Sequence, residues 1–298
     1  MEKRELSEKE LLAIVKDKFP EISWQIFEVF NNWRDNQVLI LDKSIVFRFP
    51  RNEYVKTVHK KEKQLLAIIK KHVDMDIPDY KFFTDDDSCV GYSAIKGIPM
   101  TIDIYTKKLS KATQKNIQIW LAEFLTQLHK IPIKLFEEIW YNDSGVSKEW
   151  TAHFQKDFRE KCGDILSPKE LQTVLGYIQQ LQEKTTEYKV MIHSDVQEKN
   201  IFIDESLSNI SWIIDFSDAR ISDPALDFDR LRDYGDEFTY GVYEAYQWKK
   251  DDDFLERSKF YRKRLFIYTL IHAVEHKKDI EKHLADFRNV FFGKNIIS

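Results

Sequence analysis

The chain has 298 residues and a mass of 35.7 kDa, with 43% apolar and 32% charged residues. That length supports one large domain or two medium ones around a sizeable core. Lysine plus arginine number 46 against 50 acidic residues, a formal net charge of −4, so no basic excess points to nucleic acid or to an anionic membrane.

Other compositional features narrow the field further. The two cysteines, Cys89 and Cys162, have no metal-ligand spacing and do not make a disulfide scaffold in a chain this long. Residues 1–5 are mostly charged and no apolar h-region follows, so no secretory signal is expected. The longest apolar stretch, 265–274, is interrupted by Thr269 and His272 and falls far short of the roughly 20 residues that span a bilayer. A cytoplasmic protein is expected. Glycine is scarce, eight in all with Gly91 the first, which excludes a Walker A or GxGxxG loop in the first ninety residues.

In chain order, Ser7 and Glu10 form a capping box for a first helix, whose apolar stripe of Leu11, Leu12, Ile14, Val15 and Phe19 ends at Pro20. Ile22, Trp24 and Ile26 then alternate with polar residues as in a half-buried strand, an alternation that Phe27, Val29 and Phe30 break. Residues 31–36 read as a turn, 38–41 as a second strand and 45–49 as a third strand stopped by Pro50, giving an antiparallel meander. The spacing predicts a helix over about 55–73 and two short strands around a turn at 85–88, the second running over 89–95. After Gly97 and Pro99 the character changes to long helices near 112–130, 147–162 and 168–186. A compact strand-rich insert follows at 190–192, 201–203 and 212–214, and helices continue to the end. A β-rich first third joined by a short connection to a helical remainder predicts an α+β, bilobal architecture, with one lobe over 1–96, the other over 97–298 and a cleft between them.

The chemistry is concentrated in one segment. His193, Asp195 and Asn200 stand at HxDxxxxN spacing, and Asp215 with Phe216 closes an apolar run twenty residues beyond the first aspartate. Phosphoryl transfer to a hydroxyl needs such a set. Asp195 can accept the proton of the attacking hydroxyl, while Asn200 and Asp215 are hard oxygen donors suited to Mg²⁺ against nucleotide phosphates. A hairpin between the strands would bring both ligands to one edge. Singly, each residue reads as well as a turn cap or a strand end; the combination does not.

On these residues the chain resembles the aminoglycoside phosphotransferase family, which has the bilobal protein-kinase-like fold. The resemblance runs over about 20–250, is densest at 190–230, and is nearest in pattern to the aminoglycoside 2″-phosphotransferases, with macrolide-kinase-like features in the first lobe. It implies Asp195 as the catalytic base, Asn200 and Asp215 as Mg²⁺ ligands, His193 as a structural anchor, and ATP or GTP as donor. Asp223, Pro224, Asp227 and Phe228 match the family's DPxxDF stretch, in which Asp227 fixes the catalytic loop. Arg48, where relatives often carry Lys, would be the cation on the nucleotide phosphates, and its planar, permanently charged fork suits phosphate oxygens. Glu62 would be its partner; the plain alternative is an arginine at a strand end and one charge among many on an amphipathic helix. In the 31–36 loop the relatives' glycine is replaced, and Asn31 or Asn32 would take the turn, with Asn32 against the nucleotide. Residues 92–97 resemble the hinge, where the backbone of Ser93 and Ile95 would meet the purine edge. Tyr92 would guard the inner pocket, leaving GTP as open as ATP.

Between 215 and 237 lie eight acidic and three basic residues. An acidic lip beside a catalytic base suits a cationic small molecule, and the resemblance assigns the amine-binding positions to Asp218, Asp233, Asp236 and Glu237. Trp150, Tyr234, Tyr240, Tyr243, Tyr246 and Trp248 read as core first and pocket second, and His272 and His276 as packing or surface residues, not a metal pair. The expected protein is a monomeric, Mg²⁺-dependent aminoglycoside kinase. Two rivals stand: a kinase of the same fold acting on a macrolide or another hydroxylated metabolite, and a nucleotide-binding pseudokinase.

Overall fold

The computed structural model describes residues 5–31, 35–137, 139, 148–184, 186 and 188–293. Its first lobe begins with α1 (Glu8–Lys18), started by the predicted capping box: the Ser7 N–H donates to the Glu10 carboxylate at 2.8 Å and the Glu10 N–H to Ser7 Oγ. Strands β1 (Phe27–Phe30), β2 (Asn36–Leu41), β3 (Ile45–Pro50), β4 (Phe82–Phe83) and β5 (Val90–Ser93) form one antiparallel sheet in the order β1-β2-β3-β5-β4. Helix α2 (Glu53–Ile69) follows β3, with the Asn52 side chain accepting the Val55 N–H at 3.0 Å. Leu11, Val15 and Phe19 of the first helix pack on Leu39, Leu41, Phe47, Phe49 and Cys89 as a small core on one face of the sheet.

The first strand, expected from Ile22 with its end open across 27–30, is corrected at its start: only Phe27–Phe30 pairs. The N–H groups of Gln25 and Ile26 both donate to the Asp42 carboxylate at 2.9 Å, so ladder pairing starts at the next residue with Phe27 opposite Leu41. Ile22 and Trp24 still pack on the small core, whereas Ile26 is exposed. Helix α2 also begins two residues before the predicted start and ends at Ile69, where 3₁₀-type bonds from Lys71 and His72 tighten the turn.

The second lobe carries α3 (Lys111–Lys130), α4 (Lys134–Glu137), α5 (Lys148–Cys162), α6 (Pro168–Glu183), α7 (Asp236–Ala245), α8 (Phe254–His276) and α9 (Ile280–Phe292). Between them sit two small antiparallel sheets. Strand β6 (Ile98–Pro99) pairs with β8 (Ile201–Ile203), which pairs with β9 (Ile210–Ile213); β7 (Val190–Ile192) pairs with β10 (Arg220–Ser222). The sequence pattern missed β6 and β10, which read Ile-Pro and Arg-Ile-Ser and lack the apolar run that marks β7 and β8.

Gly97 permits the crossing into this lobe. Its φ is +105°, and a Cβ there would lie 2.3 Å from the Ile203 carbonyl oxygen, a position open to glycine alone. A single large core then runs from Leu65, Ile69 and Tyr80 of the first lobe through Leu121, Leu125, Met191, Phe216 and Phe228 to Phe287. No helix among the described residues is long and apolar enough to cross a membrane.

Candidate active site

The loop between β7 and β8 carries His193, Asp195 and Asn200, and its shape is set by side chains that bind backbone. Asp227, almost fully buried in the 3₁₀ turn Pro224–Phe228, accepts the His193 N–H at 2.9 Å and the Ser194 N–H at 2.6 Å. His129, on α3, adds its Nε2 at 3.0 Å and is held from behind by the Tyr246 hydroxyl at 2.6 Å. Burial opposes the charge on Asp227, yet the His129 hydrogen bond, the nearby imidazoles and the His193 N–H hold its carboxyl below the usual range. The anchor lets Ser194 adopt a φ of 71°, a left-handed backbone that serine rarely takes.

His193 is an anchor as well. Its Nε2 donates to the Ile214 carbonyl at 3.0 Å, and its Nδ1 accepts the Asp195 N–H at 3.3 Å. The fully buried imidazole therefore ties the loop to the segment that carries Asp215.

Asp195 and Asn200 meet directly. The Asn200 amide nitrogen donates to the Asp195 backbone carbonyl and to Asp195 Oδ2, both at 2.9 Å. With that nitrogen so used, Asn200 offers a cation its Oδ1. Antiparallel pairing sets Ile201 opposite Ile213, and the Ile214 N–H donates to the Asn200 carbonyl at 3.0 Å, so Asp215 stands next to Asn200 across the strand ends. Asp215 has a φ of 67°, and Ser217 Oγ donates to its Oδ1 at 2.8 Å. The donor set fits Mg²⁺, a hard ion that commonly takes one or two protein oxygens and completes its octahedron with phosphates and water. No cluster of three or more His, Cys, Asp or Glu that could hold a metal is found among the described residues.

Across the cleft, Arg48 projects from β3 and its Nη1 lies 3.2 Å from Glu62 of α2, with side chains 15% and 2% exposed. Tyr80 completes the group: its hydroxyl accepts from the same Nη1 at 2.7 Å and donates to the same Glu62 oxygen at 2.6 Å. Burial works against the Arg48 charge, but Tyr80, Glu62, Tyr92 and Asp215 outweigh it and hold the guanidinium above its ordinary value. That Asp215 contributes places it within electrostatic reach of Arg48. Tyr92 is half-buried at the end of β5, its ring 5.6 Å from that of Tyr80. Ser93 is exposed and Ile95 half-buried in the connection between the lobes. Asn32 lies outside the described residues.

The acidic lip is less open than its composition implies. Asp233 pairs with Arg262 at 2.6 Å, Asp236 with Arg232, and Glu237 approaches Lys111 at 3.5 Å. Asp218 is exposed at the mouth, and partial enclosure followed by the charge of Asp195 holds its carboxyl above the usual range. Two cations flank Asp195 itself, Arg230 Nε at 3.5 Å and Lys199 Nζ at 3.9 Å. Of the aromatics, Tyr234 and Tyr246 are core, Trp150 packs on Phe154, and Tyr240 is exposed. His272 and His276 are exposed on α8 with rings 4.2 Å apart.

Sequence reasoning missed Tyr80, His129 and Arg230. Each reaches its partner from another element, 32 residues away for Tyr80 and 98 for His129, where no fixed spacing marks it.

The model of the Phosphotransferase enzyme family matches residues 27–255. The protein YcbJ of Bacillus subtilis (strain 168), itself uncharacterized, is 25% identical over 199 residues, which is 61% of this chain and 60% of YcbJ. The chain thus spans less than two thirds of that relative. The fold is shared with APH(2″)-IIia in its complex with GDP and kanamycin, at a TM-score of 0.84 and 20% identity over 97% of this chain and 100% of that one. It is shared also with the macrolide 2′-phosphotransferase MphH of Brachybacterium faecium, at 0.70 and 14% over 97% and 100%.

Proposed function

Because the chain belongs to the phosphotransferase enzyme family, we propose that it transfers the γ-phosphoryl group of ATP or GTP to a hydroxyl of an aminoglycoside-type small molecule. The observation that carries this reading is the Asn200 amide bonded to Asp195, with the Ile214 N–H on the Asn200 carbonyl bringing the segment of Asp215 alongside and Asp215 within electrostatic reach of Arg48. Asp195, oriented by the Asn200 amide, accepts the proton of the acceptor hydroxyl as its oxygen bonds to the γ-phosphorus. The bond from that phosphorus to the β-phosphate bridging oxygen breaks, and the nucleoside diphosphate leaves. Asn200 Oδ1 and the Asp215 carboxylate would hold Mg²⁺, which when bound neutralises phosphate charge. Arg48, braced by Glu62, contacts phosphate oxygens. The backbone of Ser93 and Ile95 meets the purine, with Asn32 at the phosphate loop and Tyr92 behind the base. Positioning and charge neutralisation do most of the work.

Amines of the acceptor would be met by Asp218 first, and by Asp233, Asp236 and Glu237 in so far as their own cations yield. That qualification supports a second reading, an acceptor with a single amine, such as a macrolide. Three of the four lip carboxylates have basic partners within the chain, and Arg230 and Lys199 stand beside the base.

A nucleotide-turnover screen tests both readings. The panel is kanamycin-like aminoglycosides, macrolides, and simple sugar and choline alcohols, each with ATP and with GTP. Turnover stimulated by aminoglycosides is the expected result. Stimulation by macrolides alone moves the assignment to the second reading, and nucleotide binding without stimulation by any alcohol of the panel overturns both readings in favour of a pseudokinase or a kinase of another metabolite.

A further inference from the structure

The Arg48–Glu62 pair is not a two-residue device in this chain. The Tyr80 hydroxyl lies between the two groups, accepting from Arg48 Nη1 at 2.7 Å and donating to Glu62 Oε2 at 2.6 Å, while the direct ion pair is longer at 3.2 Å. All three bonds converge on one guanidinium nitrogen and one carboxylate oxygen. The other Glu62 oxygen is buried with no hydrogen-bond partner. His59, one turn earlier on α2, is buried with both ring nitrogens equally unpartnered. Tyr80 and Arg48 therefore fix this carboxylate without help from its far side.

The Tyr80 ring has a second contact. It lies 5.6 Å from the Tyr92 ring, tilted by 31°, and Tyr92 sits on β5 opposite Val46, two residues before Arg48 on β3. One side chain thus touches the cation, its counter-ion and the residue at the start of the interlobe connection. Burial, opposed by Arg48, pushes the Tyr80 phenol well above its ordinary value, so it stays protonated and keeps its donor on Glu62.

We propose that Tyr80 is a positioning residue for the phosphoryl donor: its hydroxyl locks the Arg48 guanidinium so that the remaining nitrogens face the nucleotide phosphates, and its ring supports Tyr92 against the base. An arginine has many rotamers, and ordering it on a bound nucleotide costs affinity unless it is held beforehand. The lock removes that cost. The inference rests on reading Arg48 as the phosphate cation, and the experiment separates the two.

Calorimetry is run with Mg²⁺ and the β,γ-imido triphosphates of adenosine and guanosine, and by competition with the free nucleosides, on wild type, Tyr80→Phe, Tyr80→Leu and Arg48→Gln. Tyr80→Phe keeps the ring and loses the hydroxyl. The triphosphate Kd is expected to rise about tenfold, the scale of a lost charge-assisted hydrogen bond, with nucleoside Kd unchanged. Tyr80→Leu is expected to weaken both. A merely structural role would weaken triphosphate and nucleoside alike in Tyr80→Phe, and that result overturns the proposal. So does an unchanged triphosphate Kd in Tyr80→Phe while Arg48→Gln is weakened. If Arg48→Gln also binds normally, the nucleotide-site reading itself falls and takes the proposal with it. Should Tyr80→Phe not fold, Tyr80→Met, apolar and of similar reach, replaces it with the same expected rise in triphosphate Kd.

Discussion

The carboxylate of Asp227 accepts the backbone N–H of His193 at 2.9 Å although 34 residues separate them in the chain. The bond is one of three at a side chain 1% exposed, the others coming from Ser194 and His129. Asp227→Ala leaves two buried N–H groups and the His129 Nε2 without that partner. Removing one member of a buried, hydrogen-bonded charged set costs about 3–5 kcal/mol, so a fall in Tm of several degrees together with loss of turnover is expected. Differential scanning calorimetry beside a nucleotide-turnover assay checks it; a variant as stable as wild type would mean that Asp227 does not hold the loop.

The same carboxylate gives stability a pH dependence. Its pKa is depressed in the fold from the ordinary value of 3.8. The contribution is therefore complete above the unfolded value and is lost as pH falls from there through the folded value. Acid unfolding of wild type is expected to carry a component below about pH 3.8 that is missing from Asp227→Asn. Parallel acid titration curves for the two proteins, followed by circular dichroism, would exclude it.

Asp195→Ala is expected to lower kcat by about 10²–10⁴-fold, the range for loss of a positioned acid–base group. On the proposed roles, Mg²⁺-nucleotide binding should change less than kcat, since Asp195 serves the acceptor and touches the metal ligands only through the Asn200 amide. Asp215→Ala should do the reverse at the binding step, weakening nucleotide in the presence of Mg²⁺ and leaving metal-free binding nearly unaltered. Calorimetry with and without Mg²⁺ reads both, and normal phosphorylation by Asp195→Ala would remove that residue from the mechanism.

Much of the site was legible in the chain because its parts are close in sequence and constrained by spacing. Asn200 and Asp215 flank one hairpin and Asp195 lies in the loop just before it, and the strand register brings Ile201 opposite Ile213 across a short link. Arg48 and Glu62 sit on consecutive elements, 14 residues apart. Tyr80 and His129 left no such trace, since each is one ordinary residue delivered by packing. The start of the first strand, expected at Ile22 and found at Phe27, was hidden for a different reason. The Asp42 side chain takes the N–H groups of Gln25 and Ile26, and alternation in residue type does not reveal a competing acceptor sixteen residues away. The pairing within the acidic lip was equally hidden, because composition counts carboxylates and says nothing of Arg262, Arg232 and Lys111 beside three of them.

Asp218 is the lip carboxylate whose titration should be visible in kinetics. Partial enclosure and the neighbouring Asp195 charge raise its pKa from 3.8, so it ionises at a higher pH than an ordinary aspartate. An amine-bearing acceptor needs the ionised form. KM for such an acceptor is therefore expected to rise as pH falls through this titration, and Asp218→Asn should raise KM and flatten that limb while sparing nucleotide KM. A limb unchanged in Asp218→Asn would assign it elsewhere.

Arg230 places a positive charge beside the proposed base, which should disfavour a polycationic acceptor. Its Nε lies 3.5 Å from Asp195 Oδ1 on a side chain 28% exposed, so an ammonium placed beside the base meets a fixed like charge. At roughly 10 Å and an effective dielectric near 20, each such repulsion is worth about 1–2 kcal/mol before salt screening. Arg230→Gln is accordingly expected to lower KM for kanamycin-like polycations about three- to tenfold and to leave KM for a single-amine macrolide nearly unchanged. The gain should shrink as ionic strength rises, which a packing effect would not do. Equal changes for both acceptors, or a gain indifferent to salt, would show that Arg230 acts through the shape of the loop and not through its charge.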